Sequence, residues 1–166
     1  IGADTNASNL KNTYEEVRVW SIEKNTFVPT GQTFCGTIMG DHSKCGINTM
    51  FNTGTIVGVS SNIYGHGYQR NYIPSFVWGG TVGLKTFDID KAIEVAEKMY
   101  QRRNIVMSKE DKDILVSVYN QTLKNKKLRE KLGLAGREYV LKNFDAKKTV
   151  EKVEKILLKL LDSNHK

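Results

Sequence analysis

Three histidines are the side chains of this chain whose ordinary pKa suits proton transfer near neutrality. His42 follows Met39 by three residues, at what the local spacing makes an outward turn, where its ring would face solvent or a neighbouring subunit. It is therefore a candidate general base, although a turn histidine without function is the preferred reading. His66 lies between two glycines and reads as flexible, and His165 belongs to a tail. No Cys/His/Asp spacing suggests a metal site, and no Ser-centred nucleophile elbow is present. Gly36 and Gly40 open no loop ending in Gly-Lys-Ser/Thr, so a phosphate-cradling loop of that kind is excluded. Cys45 reads as a small apolar core residue. Two cysteines without a framework point to a reducing, cytoplasmic compartment.

The elements that would hold these residues repeat. Met39, Cys45, Phe51, Val57 and Ile63 recur at every sixth position, each two residues after Thr37, Ser43, Thr49, Thr55 or Ser61. Glycine follows at Gly40, Gly46 and Gly58. A period of six fits neither an α-helix at 3.6 nor an ordinary strand at 2.0. It fits a solenoid of short strands and turns whose three faces close one coil. The expected fold class is thus a mainly β solenoid plus α, with a left-handed parallel β-helix over 1–83 and a helical region over 84–166. The apolar residues should be buried, the hydroxyl residues should stand at corners, and Gly, Asn or Asp should supply the turns.

The period breaks at about 10–36, and residues 14–28 read as a hairpin-like excursion turning near Glu23-Lys24-Asn25. Such an excursion can overhang the coil and help build a site. The aromatic run over 72–78 is expected to cap the open end of the prism. Asp88 predicts the N-cap of a helix through about Arg103, and Ser108 with Asp111 a capping-box-like start of a second. Residues 128–144 predict two helical pieces bent at Gly133 or Gly136, and Asp145 caps a final helix.

Composition divides at the same place. Residues 1–83 hold five Lys/Arg and five Asp/Glu, so the whole net charge of +7 lies in 84–166, while twelve of the fourteen glycines fall in the first part. The basic residues are interleaved with glutamates, as on solvated helices, and no aromatic-basic interleaving supports nucleic acid. No stretch approaches the ~18 apolar residues of a membrane span, and no signal peptide opens the chain. The opening Ile1-Gly2, in the middle of a repeat-like unit, reads as a fragment of something longer.

The run Ile1-Gly2-Ala3-Asp4-Thr5-Asn6-Ala7-Ser8-Asn9-Leu10-Lys11 resembles the "GAGT…N" coil of a known family. These are the sugar-1-phosphate nucleotidylyltransferases that carry a C-terminal β-helical acetyltransferase domain. The core Gly40-Asp41-His42-Ser43-Lys44-Cys45-Gly46-Ile47-Asn48-Thr49 is similar to archaeal- and Bacteroidetes-type members. So are Ile73-Pro74-Ser75-Phe76, Trp78-Gly79-Gly80 and the helix from Phe87. The resemblance covers roughly 1–122. Asp4 replaces a glycine of the motif, and both the nucleotidylyltransferase domain and the coil bearing the family's base histidine would lie before Ile1. From about Lys124 the chain resembles the C-terminal helices of GT-B glycosyltransferases, through Leu134-Ala135-Gly136-Arg137-Glu138-Tyr139-Val140 and Asn143-Phe144.

What the resemblance implies is acetyl transfer from acetyl-CoA, as co-substrate, to an amino-sugar phosphate by a homotrimer, with no metal. Asn9 would bond the sugar or acetyl group through its amide, and Arg18 would contact the sugar phosphate. Lys44 would meet the phosphates of CoA. The plainer alternatives are a turn residue for Asn9, a solvated strand charge for Arg18 and a solubilising lysine for Lys44. Two other functions compete with this truncated acyltransferase. One is a noncatalytic trimerising scaffold. The other is a basic helical module for an acidic partner; its last helix is expected to dock on its own domain and not on a membrane.

Overall fold

The computed structural model describes residues 1–124. The helices expected over 128–144 and from Asp145, with the glycosyltransferase-like tail, lie outside them. Eleven strands precede two helices among the described residues. In order they are β1 (Asn6–Ala7), β2 (Arg18–Ser21), β3 (Thr26–Pro29), β4 (Ile38–Met39), β5 (Lys44–Cys45) and β6 (Met50–Phe51). There follow β7 (Ile56–Val57), β8 (Asn62–Ile63), β9 (Tyr72–Ile73), β10 (Val77–Gly80), β11 (Gly83–Thr86), α1 (Ile89–Gln101) and α2 (Lys109–Lys124).

One local device makes the short strands. Asp4, His42, Asn48, Gly54 and Ser60 all adopt left-handed φ, between 52° and 69°. Each directly precedes Thr5, Ser43, Thr49, Thr55 or Ser61. In three of these turns the threonine Oγ1 donates to the carbonyl three residues back. The bonds are Thr5 to Gly2 (2.7 Å), Thr49 to Gly46 (2.8 Å) and Thr55 to Asn52 (2.7 Å). Asp and Asn tolerate this region better than most side chains, so Asp4 can serve where the resembling motif has glycine. After each turn two residues extend, and in the units from β5 to β8 the second points inward. Cys45, Phe51, Val57 and Ile63 are all buried and form one core with Ile73 and Val77, while Met39 packs against it half-buried.

Gly54 makes its turn at φ 69° as expected, but Gly40 and Gly58 have a different job. A Cβ on Gly40 would come within 2.8 Å of the Gly58 carbonyl carbon, and one on Gly58 would collide with Ser75. They are needed because backbone stacks on backbone, not because of φ.

The expected left-handed parallel β-helix over 1–83 is not what forms. The strands make four separate sheets, of order β1-β6, β11-β10-β8-β5, β2-β3 and β4-β7-β9. None closes, and none continues as a solenoid wall. Pairing is parallel in β1-β6, β4-β7-β9 and β5-β8-β10, but antiparallel in the β2-β3 and β10-β11 hairpins. The physical reason is how short the regular repeat is. It runs for five units, from Met39 to Ile63, so no parallel ladder stacks more than three strands. The excursion then leaves β1 to pair across to β6, and β11 ends the largest sheet by folding back. The repeat therefore sets register: Ile38 lies opposite Ile56, and Lys44 opposite Asn62, three repeat units on. The architecture is one of small mixed sheets with two helices.

Within the excursion, β2 and β3 pair from Arg18↔Pro29 to Ser21↔Thr26, with Asn25 at φ 50° in the turn. Val17 is fully buried at its base, and the Trp20 indole stacks on Tyr72 at 4.9 Å. The aromatic run supplies β9 and the start of β10, and Phe76 between them enters a second core with Phe87, Ala92, Ala96, Met107 and Leu115. This core docks the helices, with Phe76 edge-on to Tyr119 at 5.1 Å. Asp88 caps α1 by accepting from the amides of Asp90 and Lys91. Ser108 and Asp111 cap α2 reciprocally: the Asp111 amide donates to the Ser108 hydroxyl, and the Ser108 amide to the Asp111 carboxylate. Strands, α1 and α2 belong to one compact unit, Ile1–Lys126.

Phe51 is 2% exposed at the centre of the first core. Phe51→Ala should cost about 3–5 kcal/mol in denaturant unfolding. A loss below about 1 kcal/mol would remove Phe51 from the core.

Candidate functional site

The sheet register fixes where Lys44 points. Its neighbour Cys45 faces the core, so alternation along β5 turns Lys44 outward. There it meets α1. Val95, Lys98, Met99, Arg102 and Arg103 recur at the spacing of one helix face, and with Lys44 they line an open cavity of about 520 Å³. Val95 and Met99 supply apolar wall. Lys98 is paired with Glu94 on the same helix. Among the described residues no carboxylate forms an ion pair with Lys44, Arg102 or Arg103. The Lys44 ammonium donates to the His42 carbonyl at 3.0 Å, and partial burial pushes its pKa down. A cation at the end of α1 complements the helix dipole. Two adjacent arginines and a lysine from a separate strand exceed what the dipole accounts for. The arrangement suits an anion, phosphate above all, because guanidinium presents paired donors to its oxygens.

His42 stands beside this cavity. Its backbone is left-handed at φ 60°, and its ring stacks on Tyr100 of α1, centroids 6.1 Å apart. Nδ1 is buried with no hydrogen-bond partner among the described residues. Desolvation, and then the Lys44 charge, push the imidazole pKa down, against the opposing pull of Asp41 and Asp111. The ring sits at the turn expected for it, directed away from the first core and packed against the helix.

Asn9 and Arg18 lie elsewhere. The exposed Asn9 begins the excursion, where its carbonyl accepts from the Cys35 amide at 2.9 Å. Arg18, also exposed, donates from Nη2 to the Phe27 carbonyl at 2.7 Å across the hairpin. Neither lines the Lys44 cavity. The structure thus brings Lys44 to three cations that sequence reasoning missed: Lys98, Arg102 and Arg103. Their spacing on α1 was a visible signal. What sequence did not reveal was that the end of α1 comes to lie beside Lys44 of β5.

Among the described residues no group of three His, Cys, Asp or Glu side chains is placed to hold a metal ion. None of their helices is long and apolar enough to cross a membrane. No protein-family model matches the chain, and no curated protein matches it.

A depressed imidazole pKa means that the folded state binds fewer protons at this ring than the unfolded chain. The stability His42 contributes is therefore full above about pH 6.5, the ordinary histidine value, and is lost as pH falls below it. His42→Asn keeps a residue that tolerates the left-handed turn, as Asn48 does. Thermal unfolding between pH 7.5 and 5 should show a steeper fall for wild type than for this variant. Parallel curves would remove His42 as the cause.

Proposed function

We propose that this chain is an acyltransferase-type unit of a sugar-nucleotide biosynthesis enzyme, taking acetyl-CoA and an amino-sugar phosphate. The observation that carries the reading is the cavity where Lys44 joins Lys98, Arg102 and Arg103. It supplies the cations that the phosphates of CoA require, and Val95 and Met99 add apolar surface. The resemblance of 1–11 and 40–49 to the acetyltransferase part of that family supports the same assignment. In such a transfer the sugar amine attacks the thioester carbonyl, a base takes the amine proton, and the CoA thiolate leaves. Asn9 and Arg18, on the excursion, are the residues proposed to meet the sugar phosphate. A cytoplasmic setting agrees with CoA as ligand and with Cys35 and Cys45 as free thiols.

Homotrimeric assembly belongs to the same proposal. Outward apolar side chains support association: Ile38 and Ile47 are 55% and 70% exposed. Light scattering should give three times the chain mass, and a monomer mass across micromolar concentrations would reject assembly.

Calorimetric titration with CoA tests the ligand. A charged hydrogen bond contributes about 1.5–3 kcal/mol, so Arg102→Ala combined with Arg103→Ala should weaken CoA at least about tenfold. Unchanged affinity would overturn the assignment. Turnover is a separate measurement. General-base catalysis is worth ~10²–10⁴-fold, and Nδ1 of His42 is buried without a partner among the described residues. Acetyl transfer to an amino-sugar 1-phosphate by this chain alone should be slow, and His42→Asn should leave the rate within about twofold. Rapid turnover abolished in that variant would make His42 the base.

A further inference from the structure

The largest sheet places four outward side chains in one row. Lys44 lies opposite Asn62, Asn62 opposite Trp78, and Trp78 opposite Lys85. The row begins at the cation cavity and runs across the strands. Trp78 stands two strand spacings from Lys44, about 10 Å. Its indole is braced by Phe87, centroids 5.3 Å apart, and edge-on by Tyr64 at 6.1 Å, yet it is 45% exposed. Phe87 directly precedes the N-cap of α1, so the helix leads from the tryptophan end of the row to the cavity that its last turns line.

An exposed, braced indole is a stacking platform for a planar ring. Cations one strand beyond an amide are a seat for phosphate. Asn62 between them is half-buried and carries an amide donor and acceptor suited to a sugar or ring edge. We infer that the outer face of the β5-β8-β10 sheet binds a phosphate ester carrying a heteroaromatic ring, with phosphate at Lys44, Arg102 and Arg103 and the ring on Trp78. This deepens the acyltransferase reading and rests on it for its source, since CoA has both groups. A free nucleoside diphosphate shares the chemistry.

The two tryptophans are separable, because Trp20 is stacked on Tyr72 in the excursion and Trp20→Phe leaves Trp78 as the reporter. In the full chain bearing that substitution, ADP and CoA should quench Trp78 fluorescence. Pyrophosphate should bind by calorimetry without comparable quenching. Trp78→Leu should weaken ADP about tenfold and leave pyrophosphate within twofold. CoA binding more tightly than ADP identifies the acyl donor as the source, and the reverse order a free nucleotide. The inference is overturned if ADP and pyrophosphate bind alike with no quenching, or if Trp78→Leu weakens both equally. Should Trp78→Leu fail to fold, the quenching measurement decides alone. ADP binding with quenching, but no binding of CoA, would overturn the acyltransferase reading and leave the ring-and-phosphate site standing.

Discussion

The structure depends on how closely one stretch of backbone can lie against the next. At Gly40 and Gly58 the stacked chains approach until no side chain fits between them. This contact lets the Gly40 amide reach the Val57 carbonyl at 2.8 Å, and the Gly58 amide reach the Ile73 carbonyl at 2.8 Å. Two-residue strands have little ladder of their own, so these flanking bonds must complete the hydrogen bonding of each unit. The threonine bonds to carbonyls three residues back serve the same need inside the turns. Remove the close approach, and the side chains of the first core no longer meet.

Much of this was legible in residue spacing because the six-residue repeat is a backbone rule written in side chains. The inward series from Cys45 to Ile63, the hydroxyl positions, the hairpin turn near Asn25 and the caps at Asp88 and Ser108 all follow from local chemistry. The error lay in extending a local rule to a global one. Repetition predicts that neighbouring units stack; it does not say that the stack grows into a continuous wall. Here β2-β3 and β10-β11 are antiparallel hairpins, and the sheets stay small. The site was less legible still. Lys44 was visible as a basic residue, but Arg102 and Arg103 gain meaning only once Phe76 and Phe87 dock α1 across the strands, a contact between elements far apart in sequence.

His42 shows how the same residue changes meaning with its surroundings. In a loose turn its imidazole would exchange protons with solvent freely. Packed against Tyr100 and next to Lys44, the ring has its pKa pushed down, because partial burial and the neighbouring ammonium both disfavour a second positive charge there. The cavity beside it therefore draws its positive charge from Lys44, Lys98, Arg102 and Arg103 more than from the imidazole. An anion arriving there meets donors whose placement on a strand and at a helix end fixes how they can grip it.

The pairing of β1 with β6 carries a kinetic consequence. β4 meets β7, and β5 meets β8, across only three repeat units, whereas Asn6 must find Met50 across the whole excursion. Closing a longer loop costs entropy that grows with the logarithm of its length, about 0.6 kcal/mol for each doubling. The block from β4 to β8 is then the natural folding nucleus, with β1 joining once the hairpin has settled. Partial opening should follow the reverse order. The first rung would peel away as a separate unit of exchange, exposing the amides of Asn6 and Ser8 while those of Lys44 and Gly46 remain protected.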